Sequence, residues 1–433
     1  MKFSLGRWCL ALALFFTGIA PAAAENTPAV LDALVEEALA NNPDLQAARA
    51  RWEMNAEKIS QVEALEDPVA GIVFNNFPVD SLAADETPMT GRIFKVSQKF
   101  PFPGKLALRG EIAGEQAEWY RAAYDDARLQ LGRMVREGWY NLYYYNRGIE
   151  VTEKNMALLD DFTRLTETRY EVGQGLQQDV LKAQVERSKL MDRLFTLRQQ
   201  RRTALENLNR LLARPTGSPL ETPTELETPP VTLSLDALLE QSRSRRPLYA
   251  AYESLVERYR VEKQLAKRNF YPDFNVGAAY TFREKNRNDD GTDFVGLEFS
   301  VNLPVYRQKR HAAVAEAESG VRMALRQYDD FRNTVEFNIA DGYAQMEKNR
   351  DLLRLYESGI VPQAGQSYQA SVSAYQVGSV DFLSLLDSLM TLYRYNLEYY
   401  RVQADYQKSL ARLEAESGVG IAGPSADSNP VNP

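Results

Sequence analysis

Residues 131–175 read LGRMVREGWYNLYYYNRGIEVTEKNMALLDDFTRLTETRYEVGQG and lie inside a longer stretch, residues 104–214, that contains no proline. A proline costs about 3 kcal/mol inside a helix, so its absence permits very long helices. One helix over the whole stretch would run about 165 Å, which is improbable. The break falls at Tyr170-Glu171-Val172-Gly173-Gln174-Gly175, where two glycines free the backbone to turn. Up to that point the pattern repeats every seven residues. Val135, Leu142, Ile149, Met156, Thr163 and Tyr170 form one row, and Leu131, Gly138, Tyr145, Thr152, Leu159 and Thr166 form another. After the turn Leu190, Leu197, Ala204 and Leu211 keep the same spacing. The stretch predicts a two-helix hairpin with a coiled-coil seam, its first arm starting near Lys105 and roughly 100 Å long.

The chain repeats itself at a spacing near 204 residues. Leu34, Asn41-Asn42-Pro43 and Ala47 match Leu238, Arg245-Arg246-Pro247 and Ala251. Asp67-Pro68 matches Tyr271-Pro272, and Phe100-Pro101 matches Leu303-Pro304. Tyr170 and Gly173 match Tyr375 and Gly378, and Val180-Leu181 matches Leu385-Leu386, at offsets that stay between 203 and 205. Pro215, Pro219, Pro223, Pro229 and Pro230 mark an extended linker between the halves. The predicted organisation is a first repeat over 25–212, a linker over 213–233, a second repeat over 234–418 and a disordered tail over 419–433. Each repeat opens with two short helices, continues with two strands (about 69–77 and 91–100, then 273–284 and 293–303) and ends in a helix hairpin (about 105–212 and 307–417).

The second strand pair alternates clearly. Phe274, Val276, Ala278, Tyr280 and Phe282 share one face, and Val295, Leu297, Phe299, Val301 and Leu303 share one face of the returning strand. In the first half Ile72 and Phe74, then Phe94, Val96 and Phe100, alternate with Val73 and Asn75, then Lys95, Ser97 and Lys99. Such hairpins either pack on a soluble core or face lipid. Committing the helices to long coiled coils leaves little to cover them, and polar residues on the opposite face suit a wet lumen. Four strands cannot close a membrane barrel, and open edges do not survive in hydrocarbon. Strands that span a bilayer would therefore be shared among several identical chains.

Composition narrows the functional classes. Lys2 and Arg7, the apolar run 10–19 and Ala22-Ala23-Ala24 read as a signal peptide over 1–24. Cys9, the one cysteine, falls inside it, so the mature chain is expected to lack disulfides, thiolate metal sites and cysteine nucleophiles. Removing Lys2 and Arg7 moves the formal charge from -8 to -10, which argues against a nucleic-acid surface. No nucleophile–base pair, phosphate-binding glycine loop or metal constellation is legible, so no enzyme activity and no cofactor are expected.

With these pieces the sequence resembles the TolC-type outer-membrane efflux channels across nearly all of its mature length. The duplication, the two strand hairpins, the two helix hairpins, and the Tyr-x-x-Gly turns followed by Asp179-Val180-Leu181-Lys182-Ala183-Gln184 carry the resemblance. More narrowly, Gln98-Lys99-Phe100-Pro101-Phe102-Pro103-Gly104-Lys105-Leu106-Ala107-Leu108-Arg109 looks like the strand-to-helix junction of the heavy-metal branch, related to cobalt–zinc–cadmium and copper–silver systems. The resemblance implies a mainly α fold with a small β part, a long coiled-coil α-helical barrel below a shared transmembrane β-barrel, four strands per chain. It implies a homotrimer in the bacterial outer membrane, with its helices in the periplasm. Its partners would be a periplasmic adaptor (membrane fusion protein), an inner-membrane resistance-nodulation-division pump and outer-membrane lipid. The implied function is a passive export duct, expected to carry heavy-metal cations. Drugs or other organic solutes are the alternative cargo, and a periplasmic coiled-coil adaptor or scaffold is the alternative class.

Tyr170, Gly173, Gly175, Tyr375 and Gly378 are then expected at the adaptor-docking tip. By motif position Asp179, Tyr375 and Asp387 match the relatives' aperture gate, whereas Val380 stands where some relatives carry an arginine. Asp179 and Asp387 read as recurring at equivalent places in the halves, which would gather six carboxylates around a three-fold axis and favour cations. The plainer reading of Asp179 is an acid in the first turn of a helix. Gly173 and Gly378 are first of all turn residues, and tyrosines 143–145, 393, 395, 399 and 400 are mostly seam packing. Lys95, Lys99, Arg283 and Glu298 are candidate pore-lining residues, and His311 reads as a surface residue.

Overall fold

The structure, a computed structural model, describes residues 27–229 and 231–421; the signal peptide expected over 1–24 and all but the start of the tail expected over 419–433 lie outside the described residues. Each half opens with two short helices, α1 (Thr27–Asn41) and α2 (Pro43–Glu63), then α5 (Leu235–Arg245) and α6 (Pro247–Arg268). Strands β1 (Val69–Asn75) and β2 (Gly91–Phe100) precede α3 (Lys105–Glu171) and α4 (Gln177–Leu211). Strands β3 (Phe274–Arg283) and β4 (Phe294–Val301) precede α7 (Arg307–Leu355), α8 (Val361–Gln376) and α9 (Phe382–Ser417). With 67 residues α3 is about 100 Å long. No helix of the described residues is long and apolar enough to cross a membrane.

The long arm of the second repeat is not one α-helix, contrary to expectation. A π-helical turn, Tyr356–Ile360, separates α7 from α8. Pro362, near the start of α8, lacks the N–H that a regular helix would aim at the carbonyl four residues back, and its ring crowds that carbonyl. The wider turn just before it absorbs the misfit.

Among the described residues no helix is as long as α3, so two shorter helices share each flank. α2 and α4 pack along α3 on one side, α6 and α9 on the other, and α7 then packs on α6 and α9. The shorter helices meet end to end through the residue before each proline. Asn42 caps α2 by accepting from the Leu45 N–H at 3.1 Å, while its Nδ2 donates to the Leu211 carbonyl at the end of α4, 2.9 Å away. At the matching place Arg246 donates to the Glu416 carbonyl at the end of α9, 3.2 Å away. Its charge is buried, and Asp126 and Glu416 accept from it. Burial pushes the Asp126 carboxyl above its usual range, against the pull of the Arg246 guanidinium.

At these junctions lie two matching cores. Leu31, Leu34 and Val35 of α1 cover Val135, Trp139 and Leu142 of α3, and Leu238 of α5 lies with Val335, Ile339 and Leu410. The first heptad row is therefore buried at Val135 and Leu142, where α1 lies over it. Below α1 it becomes half-buried at Ile149, Met156 and Thr163 and exposed at Tyr170, while Thr152, Leu159 and Thr166 of the second row stay buried. Tyr143 is fully buried and donates to Gln403 at 2.7 Å, as seam packing requires.

The four strands form one antiparallel sheet in the order β1-β2-β3-β4, joined across the repeats by β2 and β3. Register makes it two-faced. Ile72, Phe94, Tyr280 and Val295 line up across one face, and Ala70, Val96, Ala278 and Leu297 make the next row. Opposite, Gly71, Lys95, Ala279 and Gly296 align, next to Val69, Ser97, Gly277 and Glu298. The apolar face is uncovered: Leu297 is 86% exposed, Val295 73% and Phe299 69%. The strands do not enter a water-soluble core of this chain. Among the described residues both edges, β1 and β4, are open.

One ion pair ties sheet to helix where the repeats meet. Lys105 begins α3, an end whose dipole disfavours a cation. Its Nζ donates to Asp273 Oδ1 at 2.7 Å and to the Tyr271 carbonyl at 3.0 Å, and the Phe102 N–H donates to the same oxygen at 2.9 Å. With the Lys105 side chain only 4% exposed, Lys105→Met leaves a largely buried carboxylate short of its counter-ion. We expect that change to cost about 3 kcal/mol, read as a lower unfolding midpoint in detergent, and Lys105→Met with Asp273→Asn, which keeps an acceptor for the Phe102 N–H, to recover most of it.

Candidate functional site at the helix-hairpin turns

The two helix hairpins end in turns of one design. In the first, Gly173 takes φ +72° and its N–H donates to the Tyr170 carbonyl at 3.0 Å, while Gln174 N–H donates to the Arg169 carbonyl at 2.8 Å. In the second, Gly378 takes φ +78°, donating to the Tyr375 carbonyl at 3.2 Å, and Ser379 N–H donates to the Ala374 carbonyl at 2.9 Å. The left-handed conformation explains both glycines. Gly175 is needed for a different reason: a Cβ there would stand 3.1 Å from Arg169 Cβ.

The return helices start differently. Leu176 stands at the N-cap of α4 and makes no side-chain cap, whereas Asp381 caps α9 by accepting from the Ser384 N–H at 2.8 Å. The Ser384 side chain first, and then this backbone N–H, hold the Asp381 carboxyl below its usual range. Asp381 is not among the site residues expected from the sequence, although an aspartate directly before the apolar Phe382-Leu383 is a helix-start signature. Asp179 is the third residue of α4 and Asp387 the sixth of α9, so they are not equivalent. Matched from the turns, Asp179 corresponds to Ser384, and Asp387 lies about 4.5 Å further along its helix. The two aspartates stand at two heights.

Tyr170 and Tyr375 also part company. Tyr170 is exposed, whereas Tyr375 is only 5% exposed and belongs to an apolar cluster that joins the hairpins. Leu159, Ala183 and Leu190 of the first hairpin pack there with Tyr368, Phe382, Leu386 and Leu389 of the second. The Tyr375 ring lies 6.0 Å from Phe382, which meets Phe162 of α3 edge-on. Arg169 of α3 places its guanidinium 4.2 Å from the Tyr375 ring centroid. Burial raises the Tyr375 phenol, Arg169 pulls it down and Asp179 pushes it up. Arg169 went unnoticed in the sequence, where nothing marks which ring a lone arginine will meet.

At the opposite end Lys95 and Glu298 are exposed on the polar face of the sheet. Lys99 pairs with Glu66 at 3.1 Å. Arg283 is folded into its own hairpin, paired with Asp289 and set over Phe294, so it is not a free cation on that face.

The family model described as outer membrane efflux protein matches residues 34–214 and 238–419. The chain is 20% identical over 381 residues to the cobalt-zinc-cadmium resistance protein CzcC of Cupriavidus metallidurans, covering 87% of this chain and 86% of that one. It is 23% identical over 418 residues to the pyoverdine export outer membrane protein OpmQ of Pseudomonas aeruginosa, covering 90% and 84%. Among solved structures, the outer membrane protein VceC of Vibrio cholerae superposes with a TM-score of 0.76 at 20% identity, covering 91% of this chain and 97% of that chain. That likeness shows the fold.

The cap at Asp381 yields a pH dependence. Its lowered carboxyl stabilises the second turn above the ordinary aspartate range, and the contribution is lost as pH falls through the lower folded value. Amide exchange over residues 382–385 is expected to quicken in Asp381→Ala at neutral pH. Asp381→Asn keeps the acceptor oxygen and is expected to stay slow and to lose the acid dependence.

Proposed function

The chain belongs to the outer membrane efflux protein family, and from that premise we propose that three copies form a passive export duct for heavy-metal cations. The family is one of outer-membrane efflux channels rather than an enzyme class, with the helices reaching into the periplasm. The observation that carries the three-copy reading is the open, two-faced sheet. Its apolar face suits lipid, its polar face suits water, and its two free edges ask for neighbours. Twelve strands from three chains satisfy them. The helical edges, α2 with α4 on one side and α7 with α8 on the other, would meet in the same closure.

In this reading the turns at Gly173 and Gly378 face the inner membrane and receive a periplasmic adaptor. A resistance-nodulation-division pump supplies the energy. Asp179 and Asp387 form two stacked rings of three carboxylates, with the Asp381 residues close by. Such rings favour cations and repel one another until neutralised. The likeness to CzcC supports metal cargo, and the likeness to OpmQ supports the second reading, an organic solute. Lys95 and Glu298 are the charges proposed for the lumen of the barrel.

Two measurements test the proposal. In planar bilayers the purified oligomer is expected to conduct, with Asp179→Ala and Asp387→Ala each lowering its preference for cations; no conductance from any of the three would count against a pore. Neighbouring strand positions are expected to behave oppositely. Leu297→Arg puts a cation against lipid at a cost of about 2–4 kcal/mol and abolishes the heat-modifiable oligomer, while Glu298→Gln leaves it intact.

A further inference from the structure

We propose that the joint between copies repeats the joint inside one copy, and that Lys309 of one chain pairs there with Asp67 of the next. The proposal rests on the three-copy reading and adds to it a contact that sets the two edges against each other.

Inside the chain the two repeats meet where Lys105, the first residue of α3, reaches the Tyr271 carbonyl and the Asp273 carboxylate on either side of Pro272. The internal repeat carries this joint over by number. Tyr124-Asp125-Asp126 of α3 returns as Tyr328-Asp329-Asp330 of α7, an offset of 204, and the same offset takes Lys105 to Lys309. It takes Tyr271-Pro272-Asp273 back to Asp67-Pro68-Val69. The lysine is kept, and the acid has changed sides of the proline.

Within one chain Lys309 and Asp67 lie on opposite flanks. α7 carries the first, Asp67 follows α2, and α3 and α6 stand between them. Head-to-tail closure makes those flanks neighbours, and α7 of one copy then stands to α2 of the next as α3 stands to α6. Both residues are exposed, and among the described residues neither has an ion pair.

The charges on the two flanks are complementary. Arg307, Lys309 and Arg310 stand in the first turn of α7 without an acid, at an end where the helix dipole disfavours cations. Lys105 meets the same difficulty at the start of α3, and Asp273 relieves it. On the other flank residues 57–67 carry Glu57, Glu63, Glu66 and Asp67 with one cation, Lys58. Glu66 is engaged by Lys99 of its own chain, which leaves Asp67 as the free acid beside the proline. α2 ends and α7 begins next to the sheet, so the acidic and basic runs stand at one height.

The test reverses these charges in the full-length protein and follows how fast the oligomer falls apart on heating in non-ionic detergent. Lys309→Glu and Asp67→Lys each put like charges together at every joint, and each is expected to speed dissociation about tenfold. The two changes combined are expected to bring it back near the native rate. At about 1 M salt the single variants are expected to approach native. Lys309→Cys and Asp67→Cys, coexpressed on separate chains, are expected to be joined by a short bis-maleimide, since Cys9 is the one native cysteine and precedes both. Native-like dissociation in both single variants, or a double variant no slower than the singles, would overturn the pair. An intact oligomer whose two cysteines stay unlinked overturns it equally and leaves the three-copy reading standing. Native protein that never assembles brings down both.

Discussion

A peptide N–H or C=O left unpaired in hydrocarbon costs several kcal/mol, and this chain carries two strands, β1 and β4, with one free edge each. Everything else in the molecule is consistent with that debt being settled between copies. The sheet cannot curl on itself with four strands, and among the described residues no helix lies over its apolar face. Below it, the helices run in the serial order α2, α3, α6, α7, so their uncovered flanks fall on the same two sides as the strand edges. A slab with unlike edges closes by head-to-tail contact, which makes a ring if the rotation per copy divides the circle.

The two halves solve one joint with different chemistry. Asn42 and Arg246 occupy matching places, and each reaches the last carbonyls of a return helix. A neutral amide does this with its own two hydrogen-bonding groups. Arginine brings a full charge into a buried site, and the joint then needs Asp126 and Glu416 beside it. The Asp126 carboxyl is pushed up there, because burial outweighs the pull of Arg246. One repeat is thus built on a self-sufficient cap and the other on a charge cluster that ties α3 to α9.

Much of the architecture was legible in the sequence because it follows from spacing. The proline-free stretch, the Tyr-x-x-Gly turns and strict strand alternation are one-dimensional patterns, and each became the expected element. What escaped depends on three dimensions. Residues on the first heptad row look alike, yet α1 lies over Val135 and not over Thr163. Asp179 and Asp387 seemed equivalent until the turns gave a common origin for counting. Arg283 has the right parity for a lumen residue, but its own loop supplies Asp289 and takes it out of play. Asp381 was readable from its place before Phe382, whereas Arg169 was not, since its ring comes from the other hairpin.

The π turn at Tyr356–Ile360 has a consequence for how the halves have diverged. Between Pro304 and Tyr375 the second repeat holds two residues more than the first holds between Pro101 and Tyr170. The wider backbone loop of the π turn takes up surplus length ahead of α8, where Ala364 and Tyr368 are buried. The first repeat carries an unbroken strut; the second carries one with a single wider turn of backbone set into it.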